Sequence, residues 1–401
     1  MPRLRLGKSV FSAAKERIAT LMRSGHKVVV TFSGGKDSTV CLELALMAAR
    51  ETGYGDVDVA VQDEEIAYPG TYEFIERTAQ RKGVKLHWYV MQQPMLNVFN
   101  RFDPYWWVCD PLLNPGDWVR EPPKWAKFVA DKNLYFMVNP VRFPVSRDTA
   151  PGEVWDPTDT AQRLCAVIGL RASESAKRLL GLFSSGGYIS GANEAGVHLV
   201  RPIYDWGDGD VWKFISDLKI DYNKAYDVLY KMGAPKYQLR VGPPTMTRGG
   251  IKGLDIASRA WPNWFDRVAT RVPGIRTAVQ FGERAVMPYR RYGETWEACF
   301  RRECLGPDVP EWLKQRAAIV ADHAVAGHAR HSTQAFPEID GCRLCGVLGS
   351  WKQVARVMWG GDPYGQGAPS VLKCVEPEFF RPGAGTWGGE WAKGKNVKIN
   401  F

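Results

Sequence analysis

The hydrophobic pattern changes period several times in the first half of the chain, and each change predicts an element. Val10, Ala13, Ile18 and Leu21 fall near one helical face before Gly25 ends the run. Lys27 to Phe32, KVVVTF, is a β-branched apolar run of the kind that forms a buried strand. Gly34 and Gly35 break it, and TVCLELAL from Thr39 resumes with helical spacing. Asp56 to Gln62 alternates into a second strand, and DEEIAYPGTYEFIERTAQRKGVKLHWY continues as loop, helix and third strand. Ala166 to Arg171 is a further buried strand, with Ser173 or Ser175 placed to cap a helix from Ala176. His198 to Ile203 is another short strand, and Asp205 to Trp212 leads into a helix that Trp206 and Trp212 pack on the sheet. Strands alternating with helices predict an α/β fold: a Rossmann-like parallel sheet flanked by helices.

Two stretches depart from this pattern. Between Met91 and Pro151 the periodicity is lost among prolines and the aromatic cluster Tyr105, Trp106, Trp107, Trp118 and Trp125, so an insertion is expected there, either a substrate-side lid or a packing layer. From Tyr222 the chain becomes rich in Trp and Arg and mostly helical in pattern. The expected domains are therefore 1–220, with the insertion at about 91–151, and 221–401.

The turn at residues 33–38, Ser-Gly-Gly-Lys-Asp-Ser, carries the candidate chemistry. A strand feeding a helix brings unpaired N–H groups and the positive end of the helix dipole to one point, where an anion can sit. Gly34 and Gly35 let the backbone approach phosphate oxygens, and Ser33 and Ser38 add hydroxyl donors. Lys36 would neutralise charge developing as a phosphoanhydride breaks. Asp37 would hold Mg²⁺ or cap the helix. Asp63 and Glu65, at the C-terminal edge of the second strand, stand where open α/β sheets bind ligands and could orient a ribose or a metal, or form a solvated turn.

Composition narrows the setting. The 401 residues suit two domains. No apolar run reaches the roughly 18 residues of a membrane span, and MPRLRLGKSVF lacks a signal-peptide core, so a cytoplasmic protein with thiols or metal-bound cysteines is expected. Lys plus Arg exceed Asp plus Glu by 53 to 43, which suits an anionic nucleotide or a polyanionic partner.

SGGKDS after a buried strand resembles the pyrophosphate loop of the PP-loop ATP pyrophosphatases and the related phosphoadenosine phosphosulfate (PAPS) reductases. It is not the kinase-type loop, and a G-x-G-x-x-G match at Gly383, Gly385 and Gly388 has no strand before it and no helix after it. Further motifs extend the likeness over about residues 27–285. Asp63-x-Glu65 with its following Tyr and Thr is similar to the second motif of PAPS-reductase-like proteins. Gly169-Leu170-Arg171-x-x-Glu174-Ser175 resembles the arginine motif shared with DNA-phosphorothioation sulfurtransferases. That resemblance implies phosphate contact by Arg171, with Glu174 in the nucleotide site. Trp107, Cys109, Asp110, Trp118, Val119, Arg120 and the Tyr222-Asn223-x-x-Tyr226-Asp227 run look like a prophage-associated branch, the immunoglobulin-binding-regulator type, whose members are described as coactivators working with a ParB-like partner.

The second half offers two candidate sites. Arg240, Arg248, Arg267, Arg271, Arg276, Arg290, Arg291, Arg301 and Arg302, interleaved with Trp261, Trp264, Phe265, Tyr289 and Tyr292, suit a nucleic acid or simply charged faces over an aromatic core. Cys299, Cys304, Cys342 and Cys345 could bind Zn²⁺ or, as in the phosphorothioation relatives, an iron–sulfur cluster; free thiols are the alternative. His323, His328 and His331 between them could replace a ligand, although histidines in an Ala-rich helix are more often surface residues.

The resemblance implies an enzyme that binds ATP and Mg²⁺, cleaves the α–β phosphate bond and transfers AMP to an acceptor, a step that precedes sulfur or nitrogen transfer in the family. Lys36, Asp37 and Arg171 would be its catalytic residues. A true PAPS reductase is one alternative, although Glu303-Cys304-Leu305-Gly306 lacks the family's Glu-Cys-Gly-x-His motif. A nucleic-acid-binding phage or prophage regulator that senses nucleotide without turnover is the other.

Overall fold

A computed structural model of the chain describes residues 7–91, 94–102, 105–110, 112–129, 163–192, 197–236, 239–242, 251–342 and 349–361. Arg248, Cys345, the glycines Gly383, Gly385 and Gly388 and residues 130–151 of the expected insertion lie outside them. The chain divides into two compact units: Met1–Gln92, Arg120–Ala130 and Val141–Pro243 form one, and Gln93–Val119, Asp131–Pro140 and Pro244–Phe401 form the other. The first unit thus runs past Tyr222, where the sequence changes character.

In chain order the first unit begins with α1 (Val10–Arg23), β1 (Lys27–Thr31), α2 (Lys36–Thr52), β2 (Val57–Asp63), α3 (Thr71–Ala79) and β3 (Val84–Met91). After β4 (Pro94–Leu96) and β5 (Tyr105–Trp107), which belong to the second unit, come β6 (Lys127–Val129), β7 (Leu164–Val167), α4 (Ala176–Ser184), β8 (Ile189–Ala192), β9 (Val197–Val200), α5 (Asp208–Asp217) and α6 (Ala225–Lys231). The second unit adds α7 (Ile251–Ala260), α8 (Pro262–Arg271), α9 (Ile275–Phe281), α10 (Trp296–Leu305), α11 (Glu311–Ala329) and α12 (Trp351–Met358).

Seven strands of the first unit form one sheet in the order β6-β3-β2-β1-β7-β9-β8, parallel throughout except for β8 against β9. The expected Rossmann-like parallel sheet is therefore present. Strand order reverses at β1: β2 and β3 follow on one side, β7 and β9 on the other. A crevice opens at the C-terminal ends of strands at such a switch point, and the loops after β1 and β7 flank it.

Local chemistry accounts for the elements. Ser9 Oγ accepts from Ser12 N–H at 3.1 Å and starts α1, whose Ala14, Ile18, Leu21 and Met22 are buried. Helix α2 is buried along most of its length and ends at Gly53, left-handed at φ 69°. β2 does not show the expected alternation, because a central parallel strand is covered on both faces. Asp58 on it is accordingly buried, held by His87 Nε2 at 2.7 Å and by Lys27. Ser175, not Ser173, caps α4, accepting from Arg178 N–H at 3.2 Å. β6 and β8 were not legible as strands in the sequence. Among the described residues no helix is long and apolar enough to cross a membrane.

The second unit pairs β4 with β5 antiparallel and buries Phe300, Cys304, Val320, Phe336, Trp351 and Met358 together as a core shared by α10, α11 and α12. His328 belongs to this interior rather than to the surface: it is 2% exposed, and its ring lies edge-on to Phe336.

Candidate functional site

Ser33, Gly34 and Gly35 join β1 to α2, so the loop lies at the switch point with the helix N-terminus behind it. Gly34 is left-handed at φ 70°, and a Cβ there would also press on Thr71 and Ile75 of α3. Ser33 and Ser38 face each other across the loop, their hydroxyls 3.3 Å apart, and Ser38 Oγ donates to Gly35 O at 2.9 Å.

Lys36 and Asp37 open α2. Lys36 is 7% exposed, with Nζ 3.2 Å from Asp37 Oδ2 and 3.4 Å from Asp208 Oδ1 at the start of α5. Arg171 lies four residues beyond the end of β7, which is shorter than expected, yet the sheet order still brings it to the loop. Its Nε is 2.7 Å from Asp37 Oδ1, close but out of hydrogen-bond alignment, and its NH2 is 3.3 Å from both Glu174 Oε1 and Asp208 Oδ1. Arg178 contacts Glu174 from the first turn of α4. Burial pulls the Arg178 guanidinium below its ordinary value, and the positive charge of Arg240 adds to the effect. Four cations (Lys36, Arg171, Arg178, Arg240) thus gather with three carboxylates (Asp37, Glu174, Asp208) beside a helix N-terminus.

Gly169 permits this arrangement. A Cβ on it would lie 2.7 Å from the Asp37 carbonyl carbon and 2.8 Å from Ser38 N, so only glycine lets the loop after β7 touch the first turn of α2.

The loop is braced by α6 and the residues before it. Asn223, fully buried, donates from Nδ2 to Gly34 O at 3.2 Å and to Thr71 Oγ1 at 2.9 Å. The Tyr226 hydroxyl accepts from Lys36 N–H at 2.9 Å. Asp208, Arg178, Asn223 and Tyr226 are the members of the cluster that residue-by-residue reading passed over. The D-W-G-D-G-D-V-W and Y-N-x-x-Y-D runs contain three of them, and their only signal was recurrence beside the loop motif.

Asp63 has a different surrounding. Its Oδ1 accepts from Glu65 N–H and from Tyr72 Oη, each at 2.8 Å. Its Oδ2 accepts from Trp88 Nε1 and from Arg120, each at 2.9 Å. Glu65 is buried with φ 66°, and burial together with the Asp63 charge pushes the Glu64 carboxyl up to about 7. All four acceptor positions of Asp63 are filled, so it does not fit a Mg²⁺ ligand. Asp37 does fit: its buried Oδ1 has no aligned hydrogen bond among the described residues, and one carboxylate plus phosphates is an ordinary Mg²⁺ donor set.

Residues 27–111 match the phosphoadenosine phosphosulfate reductase domain family. The likeness to PAPS reductases carried by SGGKDS is borne out over that stretch. The chain is also 24% identical over 280 residues to "Uncharacterized protein YbdN" of Escherichia coli (strain K12), covering 67% of this chain and 66% of that one, or about two thirds of the relative's length. Among solved structures it is similar to Candida glabrata FMN adenylyltransferase (13% identity, TM-score 0.33, 54% of this chain and 57% of that one). It is also similar to the Candida auris PAPS reductase in a phosphate complex (14% identity, TM-score 0.32, 54% and 84%).

In the second unit several of the candidate nucleic-acid arginines have protein partners. Arg267 donates to Gly116 O and Trp118 O, Arg271 to Trp107 O at 2.6 Å, and Arg302 binds Glu294 at 2.9 Å. Arg276 pairs with Asp266 and Arg301 with Glu297, while Trp264 and Phe265 are buried. Cys299 and Cys304 lie five residues apart on α10, a spacing that sets them about 140° apart around the axis. Burial pushes the Cys299 thiol up to about 11 and the Cys304 thiol higher, and Cys304 Sγ donates to Ala355 O at 3.9 Å. Cys342 is half-buried. Among the described residues no three His, Cys, Asp or Glu side chains gather as a metal site.

Proposed function

We propose that the first unit binds an adenine nucleotide by its phosphates at Ser33–Ser38 and breaks the α–β phosphoanhydride of ATP. An acceptor oxygen or nitrogen attacks the α-phosphorus, pyrophosphate leaves with the bond's electron pair, and AMP remains on the acceptor. The observation that carries this reading is the cluster at the switch point: a helix N-terminus cleared of Cβ atoms, with Lys36 and Arg171 buried on either side of Asp37.

In that site the loop N–H groups and the dipole of α2 receive phosphate oxygens. Lys36 and Arg171, held by Asp37 and Asp208 before substrate arrives, stabilise the charge that builds on the leaving pyrophosphate with little rearrangement. Asp37 would hold Mg²⁺, which when bound offsets phosphate charge and orients the leaving group. The test is release of pyrophosphate from ATP and Mg²⁺ across a panel of acceptors. Lys36→Ala should slow it about a hundred- to a thousandfold. Nucleotide binding with no pyrophosphate from any acceptor would overturn turnover and leave a nucleotide sensor.

The family match over residues 27–111 favours PAPS as a second ligand. Reduction through Cys304 is disfavoured, because that thiol is fully buried and its ionisation is suppressed by burial. Sulfite release from PAPS with a thiol donor would establish it.

A further inference from the structure

The Tyr226 hydroxyl has an unused half. It is 4% exposed and its ring is fixed edge-on against Trp212 at 5.3 Å. The phenol oxygen accepts the first N–H of α2, from Lys36, at 2.9 Å. Among the described residues its own O–H proton meets no acceptor. Burial pushes the phenol well above its ordinary range, and Asp37 and Asp208 act in the same direction against the Lys36 N–H and Arg171. The group is therefore a neutral donor at any physiological pH, enclosed by the same charges that surround the loop. Leaving a buried donor unsatisfied is costly unless a ligand completes it.

Asn223 shows what a pure brace looks like. Its Nδ2 serves Gly34 O and Thr71 Oγ1, and its Oδ1 accepts from Ala225 N–H at 2.9 Å. Neither of its N–H donors is left for a ligand of the loop. Tyr226 performs the same bracing with its oxygen and keeps a proton in reserve. A Cβ placed on Gly35 would stand 3.6 Å from that oxygen, in ordinary contact, so the hydroxyl lies directly beside the glycine of the phosphate loop.

We propose that Tyr226 is a phosphate-binding residue of this site, donating its hydroxyl proton to an oxygen of the bound nucleotide while its own oxygen holds the Lys36 N–H. This rests on the phosphate-site reading above and adds to it a residue from α6, 190 positions along the chain from Lys36. Helix α6 then takes part in binding, not only in folding.

The test is calorimetric titration of the full chain with ATP and, separately, with inorganic pyrophosphate. Tyr226→Phe keeps the ring on Trp212 and should weaken both about ten- to a hundredfold, the range for a hydrogen bond to a charged group. Ring-fluorinated tyrosine at position 226, assayed below the pH at which its phenol ionises, separates donor from brace. A more acidic phenol donates more strongly and accepts more weakly, so binding tighter than wild type supports the proposal. Equal binding by Tyr226→Phe would overturn it, and so would weaker or unchanged binding by the fluorinated protein, which would leave Tyr226 as a brace. If wild type binds neither ligand, the phosphate-site reading itself fails. If Lys36→Ala weakens binding and Tyr226→Phe does not, only this inference fails.

Discussion

Asp37, in the first turn of α2 after β1, and Asp63, the last residue of the neighbouring parallel strand β2, stand at the edge where an α/β sheet meets its ligand, and they have opposite surroundings. Asp63 is 2% exposed and takes one hydrogen bond on each of its four acceptor positions, from a backbone N–H, a tyrosine, a tryptophan and an arginine. Asp37 lies between Lys36 and Arg171, with one oxygen lacking an aligned partner. A carboxylate whose lone pairs are all filled by protein fixes the fold around it. One held by ion pairs to two cations, with no aligned hydrogen bond on one oxygen, can exchange those partners for a ligand.

Crossed substitutions should separate the two most sharply. Asp63→Asn turns an acceptor into a donor facing other donors and leaves Arg120 unpaired, so stability should fall by about 3 kcal/mol in urea unfolding. Asp37→Asn should cost less than about half of that, because Glu174 and Asp208 still balance Arg171, yet pyrophosphate release should drop far more than in the folded fraction of the Asp63 variant. Equal behaviour of the two would break the contrast.

Gly169→Ala tests how closely the loops must approach. Its Cβ meets backbone atoms of Asp37 and Ser38 that cannot move aside without shifting the first turn of α2, so a loss of about 2 kcal/mol is expected together with weakened nucleotide binding. Retained affinity would show that the turn can shift at no cost to the site.

Glu64, next to Asp63, gives a smaller and pH-dependent effect. Its carboxyl is raised to about 7 in the folded chain from an ordinary value near 4.5, so the folded state holds the proton more tightly than the unfolded one. The stability this contributes is complete below about pH 4.5 and is lost as pH rises through 7. The unfolding free energy should decline between pH 5 and 8 by up to about 2 kcal/mol, allowing for solvent at a half-buried group, and Glu64→Gln should flatten the slope. Arg301→Ala, which removes an exposed pair with Glu297, should change stability by less than about 0.5 kcal/mol.

Much of the first unit was readable from local pattern. KVVVTF, the glycine pair and the apolar run after Thr39 became β1, the loop and α2, because a single strand, turn or helix is dictated by residues a few positions apart. Less of the rest was readable. β2 carried alternating polar residues that turned out buried, since burial on both faces depends on which helices cover the sheet. β6 and β8 are short edge strands whose pairing partners, not their own residues, make them strands. His328 looked like a surface residue of an Ala-rich helix until Phe336 and the carbonyl of Gln334 closed over it.

By itself the sequence determined a strand-loop-helix able to receive an anion, an arginine after a later strand, and a chain of alternating strands and helices. Tertiary structure alone decided that β7 lies against β1, and with it that Arg171 reaches Asp37, that Asp208 and Tyr226 complete the cluster, and that Asp63 is consumed by the fold. The reason is range: hydrogen-bond periodicity acts over one or two turns, whereas strand order and the meeting of residues more than a hundred positions apart follow from how whole layers bury their apolar faces.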